Sequence, residues 1–233
     1  MFLRSLLFAL AQMLVTPPYA LFALFTFALP RMTRYRLISG WSWLMIRMAR
    51  TILGIEWRVE GREHLPSRPA VILSKHQSAW ETMAFTLIFP PQVHVLKREL
   101  LWIPFFGWGL ALMSPIPIDR ARGVSALRSI ARRGRERLDQ GFWVVVFPEG
   151  TRVAPGERRT YQLGGAWLAA ASGAPIVPVA HNAGRVWPRN AFIKHPGIVT
   201  VRIGPPIESA NRDPKVLNAM AEKWIEEQQK ALT

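Results

Sequence analysis

Residues 6–29 carry no charge, and the largely apolar run is interrupted mainly by Thr16-Pro17-Pro18. That length suits a bilayer crossing, which needs about 20 residues. Arg4 precedes the run and Arg31, Arg34 and Arg36 follow it, so the positive-inside rule assigns no direction. A segment broken at its prolines, entering one leaflet and returning, would keep both basic flanks on one side. Residues 39–53 then mix Trp41, Trp43, Leu44, Ile46 and Met48 with Arg47 and Arg50. Such a mixture fits an interfacial helix with tryptophans at headgroup depth. A cleaved signal peptide is the rival reading of the start, opposed by its short basic region and by two prolines inside the apolar run.

From Trp57 onward, short apolar runs alternate with helical periodicity. Residues 55–59, 70–73, 93–96, 116–118, 142–147, 176–179 and 199–203 read as strands. Pro117 limits the fourth to a sheet edge or a loop flank. Helices are predicted over residues 78–89, where Pro90-Pro91 stops the pattern, and over 124–138, 164–171 and 214–232. The alternation predicts an α/β fold: a mixed or largely parallel sheet flanked by helices, with an N-terminal membrane-associated helical segment. Residues 1–53 form that segment in this reading, and 54–233 the α/β domain.

Charge narrows the partners. With 30 Lys and Arg against 15 Asp and Glu, the formal net charge is +15 in a chain of 233 residues, 50% of them hydrophobic. A basic and apolar chain matches an anionic membrane surface, where each basic residue near the headgroups gains about 1 kcal/mol. Nucleic acid would explain the charge but neither the ten tryptophans nor the apolar start. Among the basic residues only Lys75, Lys97, Lys194, Lys215, Lys223 and Lys230 are lysines. The arginine excess fits phosphate recognition or a GC-rich genome. Cysteine is absent, which excludes disulfides, thiolate catalysis and cysteine metal ligands.

Two stretches carry the chemistry, each where a buried strand gives way to a loop, the place α/β folds put ligands. In Lys75-His76-Gln77-Ser78-Ala79-Trp80-Glu81 an imidazole and a carboxylate stand five residues apart. Imidazole titrates near neutral pH and suits proton removal from a hydroxyl; a carboxylate beside it would fix the tautomer. Inside one helix the pair would lie about 140° apart and never meet. They meet if His76 lies in the turn and Glu81 in the first helical turn, with Ser78 as N-cap of a capping box. The same capping box is the purely structural explanation of Glu81. The second stretch is Phe147-Pro148-Glu149-Gly150-Thr151-Arg152. Gly150 loosens the turn and exposes amides, Thr151 offers a hydroxyl, and Arg152 offers a bidentate fork for phosphate. Glu149 fits such a site only by holding an arginine or a glycerol hydroxyl, and a surface turn with an Arg–Glu pair is the plain alternative. Arg120, in Pro117-Ile118-Asp119-Arg120, would add a cation to the same phosphate.

Four ordered blocks resemble the glycerolipid acyltransferase family that includes the 1-acyl-glycerol-3-phosphate acyltransferases. A His followed after four residues by an acid is matched by His76 and Glu81, with Glu in place of the usual Asp. A Lys-x-Glu-Leu stretch ending in Ile-Asp-Arg is matched by Lys97, Glu99, Leu100, Ile118, Asp119 and Arg120. The third block is matched from Phe147 to Arg152, and the fourth by Val177-Pro178-Val179. The resemblance spans residues 55–210. It implies His76 as general base oriented by Glu81. It implies a glycerol-phosphate site from Arg120, Glu149, Gly150, Thr151 and Arg152 with help from Lys97, and an acyl site lined by Val177, Pro178 and Val179. It further implies N-terminal helices docked on one leaflet. Gln162 stands in Tyr161-Gln162-Leu163-Gly164 where relatives often carry lysine, which bears on the acceptor headgroup.

The expected activity is therefore transfer of a fatty acyl group from an acyl thioester to the sn-2 hydroxyl of lysophosphatidic acid. The protein would sit on the cytoplasmic face of a bacterial inner membrane. The donor would be acyl-CoA or acyl carrier protein; no metal, no further cofactor and no nucleic acid is expected. Acylation of another lysolipid, such as a lyso-ornithine lipid or lysophosphatidylglycerol, is the alternative within the class. A non-catalytic lipid-binding protein is the alternative outside it. His64 and His94 fall next to strand edges and His181 and His195 in loop-like sequence, and none receives a role. Arg128, Arg132, Arg133, Arg135 and Arg137 read as a solvated helix face, or as a dock for anionic lipid or an acidic carrier protein.

Overall fold

The computed structural model describes residues 1–119 and 123–232. Its strands are β1 (Ile55–Glu60), β2 (Val71–Ser74), β3 (Gln92–Lys97), β4 (Ile116–Ile118), β5 (Trp143–Val146), β6 (Ile176–His181) and β7 (Gly197–Ile203). Its helices are α1 (Phe2–Leu24), α2 (Arg31–Met48), α3 (Trp80–Ile88), α4 (Phe106–Leu112), α5 (Val124–Asp139), α6 (Gly164–Ser172), α7 (Ala183–Val186) and α8 (Pro214–Leu232). The strands form one mixed sheet in the order β1-β7-β6-β2-β5-β3-β4. Every pairing is parallel except β6 with β7. β4, with Pro117 at its centre, lies at the edge.

Successive side chains on a strand point to opposite faces. Ile72, Val145, Val177 and Val179 join one core cluster, while Val71, Leu73, Val144, Val146 and Ile176 join the other. Both faces are covered, so β5 and β2 up to Leu73 are apolar on both sides instead of alternating. Trp80, Met83, Ala84, Phe85 and Ile88 of α3 pack on the first face, and α5, α6 and α8 cover the second. α6 rests directly on the sheet at Gly165, where an added Cβ would collide with Leu73 Cδ2. β2 and β5 are neighbours, yet the helices that follow them, α3 and α6, leave to opposite faces. Such a divergence opens a crevice beyond the C-terminal ends of the two strands.

The N-terminal region departs from expectation in two ways. Pro17 and Pro18 do not break the helix; α1 runs through them. Buried contacts on both sides of the prolines, Ser5 and Phe8 before and Ala20 and Ala23 after, hold one stripe of α1 in place. The carbonyls that lose amide donors belong to Met13 and Leu14, whose side chains face outward at 72% and 77% exposure. The second helix begins at Arg31, well before Ser39, and passes into a π-helical turn, Ala49–Leu53. It packs back on α1: Trp41 Nε1 donates to Thr16 Oγ1 at 3.2 Å and Tyr19 Oη to the Leu37 carbonyl at 2.7 Å. Phe8 shares the core cluster of Ile55 and Trp80 and meets Trp187 edge-on at 5.3 Å. Two short helices, α4 and α7, were not expected; Gly107, Gly109 and Gly184 weaken their helical signal.

Overpacking a tight core contact costs about 1–3 kcal/mol. Gly165→Val is therefore expected to lower the thermal midpoint of the detergent-solubilised protein. A midpoint equal to that of the wild type would mean that α6 does not rest on β2 at this glycine.

Candidate active site

β2 ends at Ser74, and the chain passes through Lys75 to His76 before α3 begins. His76 Nδ1 lies 2.8 Å from Glu81 Oε1. The same oxygen accepts the backbone N–H groups of Gln77 at 2.9 Å and Ser78 at 2.8 Å. Ser78 Oγ in turn accepts the Trp80 N–H at 3.1 Å. Half of a capping box is thus made around Ser78: Glu81 accepts its N–H, but Ser78 Oγ takes the Trp80 N–H, and regular helix starts at Trp80 with Ala79 at the cap position. Glu81 closes the helix start and holds the imidazole at once, so its two readings are not alternatives. Burial alone would raise the Glu81 carboxyl. The nearby His181 and His76 and the Ser78 N–H outweigh it and hold the group below its ordinary range. An ionised Glu81 makes Nδ1 the protonated nitrogen of His76 and leaves the Nε2 lone pair for a reacting hydroxyl. Phe147 stacks on the imidazole with ring centroids 4.0 Å apart and planes 14° from parallel.

The second loop leaves the adjacent strand, β5. Gly150, at φ 70°, takes a left-handed conformation that glycine adopts without strain, and its N–H closes a turn on the Phe147 carbonyl at 3.0 Å. The Val153 N–H donates to the His76 carbonyl at 2.7 Å, which ties the two loops together. His76, Gly150, Thr151 and Arg152 line one cavity of about 400 Å³ with Lys97 at the end of β3. The Nε of Arg152 is buried and has no hydrogen-bond partner among the described residues, a donor the protein itself leaves unmet. From this polar end the cavity runs between helices: Thr16, Tyr19, Ala20 and Ala23 of α1, Ile38 and Trp41 of α2, and Leu110 and Met113 at α4.

Several predicted site residues are not on that wall as expected. Glu149 is buried and turned away, with Oε1 2.7 Å from Lys75 Nζ and Oε2 accepting the His76 N–H at 3.0 Å. Burial raises its carboxyl in spite of Lys75 and the His76 amide. Val177 and Val179 are fully buried in β6 on the α3 face, and neither they nor Pro178 lines the cavity. An interior strand enclosed by neighbours on both sides has no free surface for an acyl chain. Arg120 lies outside the described residues; Asp119 before it pairs with Arg98 at 3.3 Å. Gln162 is exposed and off the wall, so its replacement of lysine leaves the cavity unchanged.

Sequence reasoning missed four residues. Arg189 and Asn190 line the cavity, and Arg189 Nη1 donates to the Arg152 carbonyl at 2.8 Å. They arrive from the loop after α7, and no local pattern marks them. His94 also lines it, opposite Val145 in the β3–β5 register and 6.0 Å from the Phe147 ring; a polar residue within an apolar strand was its only signal. Burial, with the neighbouring His76, lowers His94 to about 4. His181 ends β6 instead of lying in a loop. Its Nε2 meets the Lys75 carbonyl at 2.9 Å and its Nδ1 accepts the Ala183 N–H at 3.3 Å. Burial keeps it below the usual histidine range. Among the described residues no cluster of three or more His, Asp or Glu side chains stands ready for a metal.

A sequence profile of the family described as Acyltransferase matches residues 56–182. A Pseudomonas aeruginosa protein named 1-acyl-sn-glycerol-3-phosphate acyltransferase is 45% identical over 203 residues, covering 85% of this chain and 79% of that protein. A mouse protein named 1-acyl-sn-glycerol-3-phosphate acyltransferase alpha is 31% identical over 183 residues, 77% of this chain and 64% of its own length. The crystal structure of the 1-acyl-sn-glycerophosphate acyltransferase of Thermotoga maritima superposes with a TM-score of 0.80 over 99% of this chain and 95% of that one. At 23% identity it supports the fold alone.

The depressed His94 has a signature in stability. Between its ordinary value and about 4 the unfolded chain binds a proton that the folded chain refuses, so stability is lost as pH falls through that window. His94→Phe removes this term. Between pH 6.5 and 4.5 the variant is expected to lose less stability than the wild type, by roughly 1 kcal/mol per pH unit. Denaturant unfolding at several pH values checks it, and parallel wild-type and variant profiles would sink the assignment.

Proposed function

The chain belongs to the acyltransferase family, and from that premise we propose that it moves a fatty acyl group from a thioester to the sn-2 hydroxyl of 1-acyl-glycerol 3-phosphate, giving phosphatidic acid. One observation carries the reading: the His76–Glu81 pair, 2.8 Å apart, stands at the junction of a cationic pocket and an apolar channel within one cavity. A lysophosphatidic acid has that division, with a dianionic head, a hydroxyl beside it and a hydrocarbon tail.

His76 Nε2 takes the hydroxyl proton as the oxygen attacks the thioester carbonyl. The C–O bond forms, the C–S bond of the tetrahedral intermediate breaks, and the imidazolium returns its proton to the departing thiolate. Glu81 keeps the imidazole in the reactive tautomer and stabilises the imidazolium. Arg152 holds the phosphate with its guanidinium, with Arg189 and Lys97 on the same wall. Most of the rate gain comes from positioning two substrates against one base, which is worth up to about 7–11 kcal/mol in well-oriented systems. No acyl-enzyme is needed, and Ser78, bonded at the helix start, is not a nucleophile.

The same reading seats the protein on the cytoplasmic face of a bacterial inner membrane. α1 is apolar enough to cross a bilayer, with mean hydropathy 1.6, yet its inner stripe is committed to the fold. Its outer stripe exposes Leu3, Leu7, Leu10 and Leu14, and Phe25 beyond its end is 83% exposed. Lying in one leaflet satisfies both stripes, and anionic lipid then meets the basic surface.

Acyl transfer in mixed micelles, with labelled acyl-CoA or acyl carrier protein and a panel of lysolipids, tests the proposal. Wild type is expected to form phosphatidic acid. His76→Ala should lower kcat by about 10²–10⁴-fold. Arg152→Ala should act mainly on the acceptor KM, raising it about 10–100-fold. Product with a different lysolipid and none with lysophosphatidic acid would replace the acceptor; silence with every acceptor would sink acyl transfer itself.

Gly109 lines the channel and has nothing within 4 Å of where a Cβ would stand. Gly109→Phe is therefore expected to fold and to shift acceptor preference towards lysolipids with shorter acyl chains in a competition assay. An unchanged chain-length profile would place the acceptor's tail elsewhere.

A further inference from the structure

Behind the catalytic loop, on the side away from the cavity, lies a buried charged cluster that proton transfer does not use. Lys75 is 1% exposed. Its Nζ stands 2.7 Å from Glu149 Oε1 and 2.9 Å from Glu226 Oε1, and it donates to the Glu157 carbonyl at 3.2 Å. The Glu157 carbonyl and Glu226 accept two of the ammonium's three donors, and Glu149 stands beside it as an ion-pair partner. Glu226 reaches in from α8 and is fixed further by Tyr161 Oη at 3.0 Å and Arg158 Nε at 3.1 Å.

The cluster ends on one peptide unit. Glu149 Oε2 accepts the His76 N–H at 3.0 Å, and His181 Nε2 donates to the Lys75 carbonyl at 2.9 Å. That carbonyl and that N–H belong to the same planar group, so it is gripped at both ends. We infer that Lys75, Glu149 and Glu226 are positioning residues that set the plane from which the His76 imidazole projects, and that Glu149 holds no substrate. The inference rests on the acyl-transfer reading above. A buried ion pair adds little net stability over a well-packed apolar replacement, so the contribution of this one is read in orientation. A misplacement of about 1 Å at a reacting group costs about 10²-fold in rate.

The test exploits the chemistry of an amide. In Glu149→Gln one side-chain oxygen becomes an NH₂, while Lys75 Nζ and the His76 N–H are both donors, so one of them must face a donor. kcat is expected to fall about 10²-fold, with the acceptor KM within about twofold of wild type. Removing the ammonium relieves the conflict and lets the oxygen of the introduced amide face the His76 N–H. Lys75→Met combined with Glu149→Gln is therefore expected to regain about tenfold in kcat over the single variant. Hydrogen–deuterium exchange at the His76 amide follows the same contact without turnover: faster than wild type in Glu149→Gln, slow again in the double variant. Glu226→Gln, which keeps an acceptor for Lys75, is expected to fold and to show a smaller loss in kcat alone. A raised acceptor KM without rescue would make Glu149 a substrate ligand and overturn the inference. So would unchanged exchange at His76, or losses that track the unfolded fraction. Product formation by the wild type tests the underlying activity separately.

Discussion

Three N–H groups converge on one oxygen of Glu81, from the His76 ring and from the Gln77 and Ser78 backbones. A buried carboxylate is tolerated only when donors replace the water it has lost, and these donors fix the turn between β2 and α3. With the turn fixed, the helix start, the tautomer of the imidazole and the direction of its free nitrogen follow together. The longer side chain of Glu, compared with the family's usual Asp, reaches back from the first helical turn across five residues. A geometry that looked unfavourable on a helical wheel is resolved because only one partner is in the helix.

The sheet supplies the rest of the arrangement. β5 lies between β2 and β3, so His76, the Gly150 turn and Lys97 emerge from three adjacent strand ends. α3 and α6 leave to opposite faces, and the loops they would otherwise cover remain open between them. The bond from the Val153 N–H to the His76 carbonyl then makes the two loops one unit. The imidazole and the Gly150 turn keep a fixed relation to each other because both are joined to the same core strands.

Much of this was legible in the chain. The strands were visible because most are short apolar runs with abrupt ends, and the C-terminal helix because its periodicity is undisturbed. The His76–Glu81 pair and Arg152 were legible as chemistry at strand ends. What sequence could not convey was direction. Glu149 stands beside Gly150 in the chain, yet its side chain points behind the loop to Lys75. Val177-Pro178-Val179 is apolar for the sake of an interior strand, not of a ligand. Arg189 reaches the cavity only through tertiary packing, and Pro17-Pro18 was overridden by the contacts that flank it.

α1 is a partition. One stripe contributes Ala20 and Ala23 to the cavity wall, while the opposite stripe of leucines faces outward. In the proposed seating, a single helix thickness separates the reacting lysolipid from the bilayer that stores it. The quantity that sets saturation is then the mole fraction of lysolipid in the leaflet, not its molarity in water. Diluting the substrate with inert lipid at constant bulk concentration slows such an enzyme, and catalysis becomes a two-dimensional encounter.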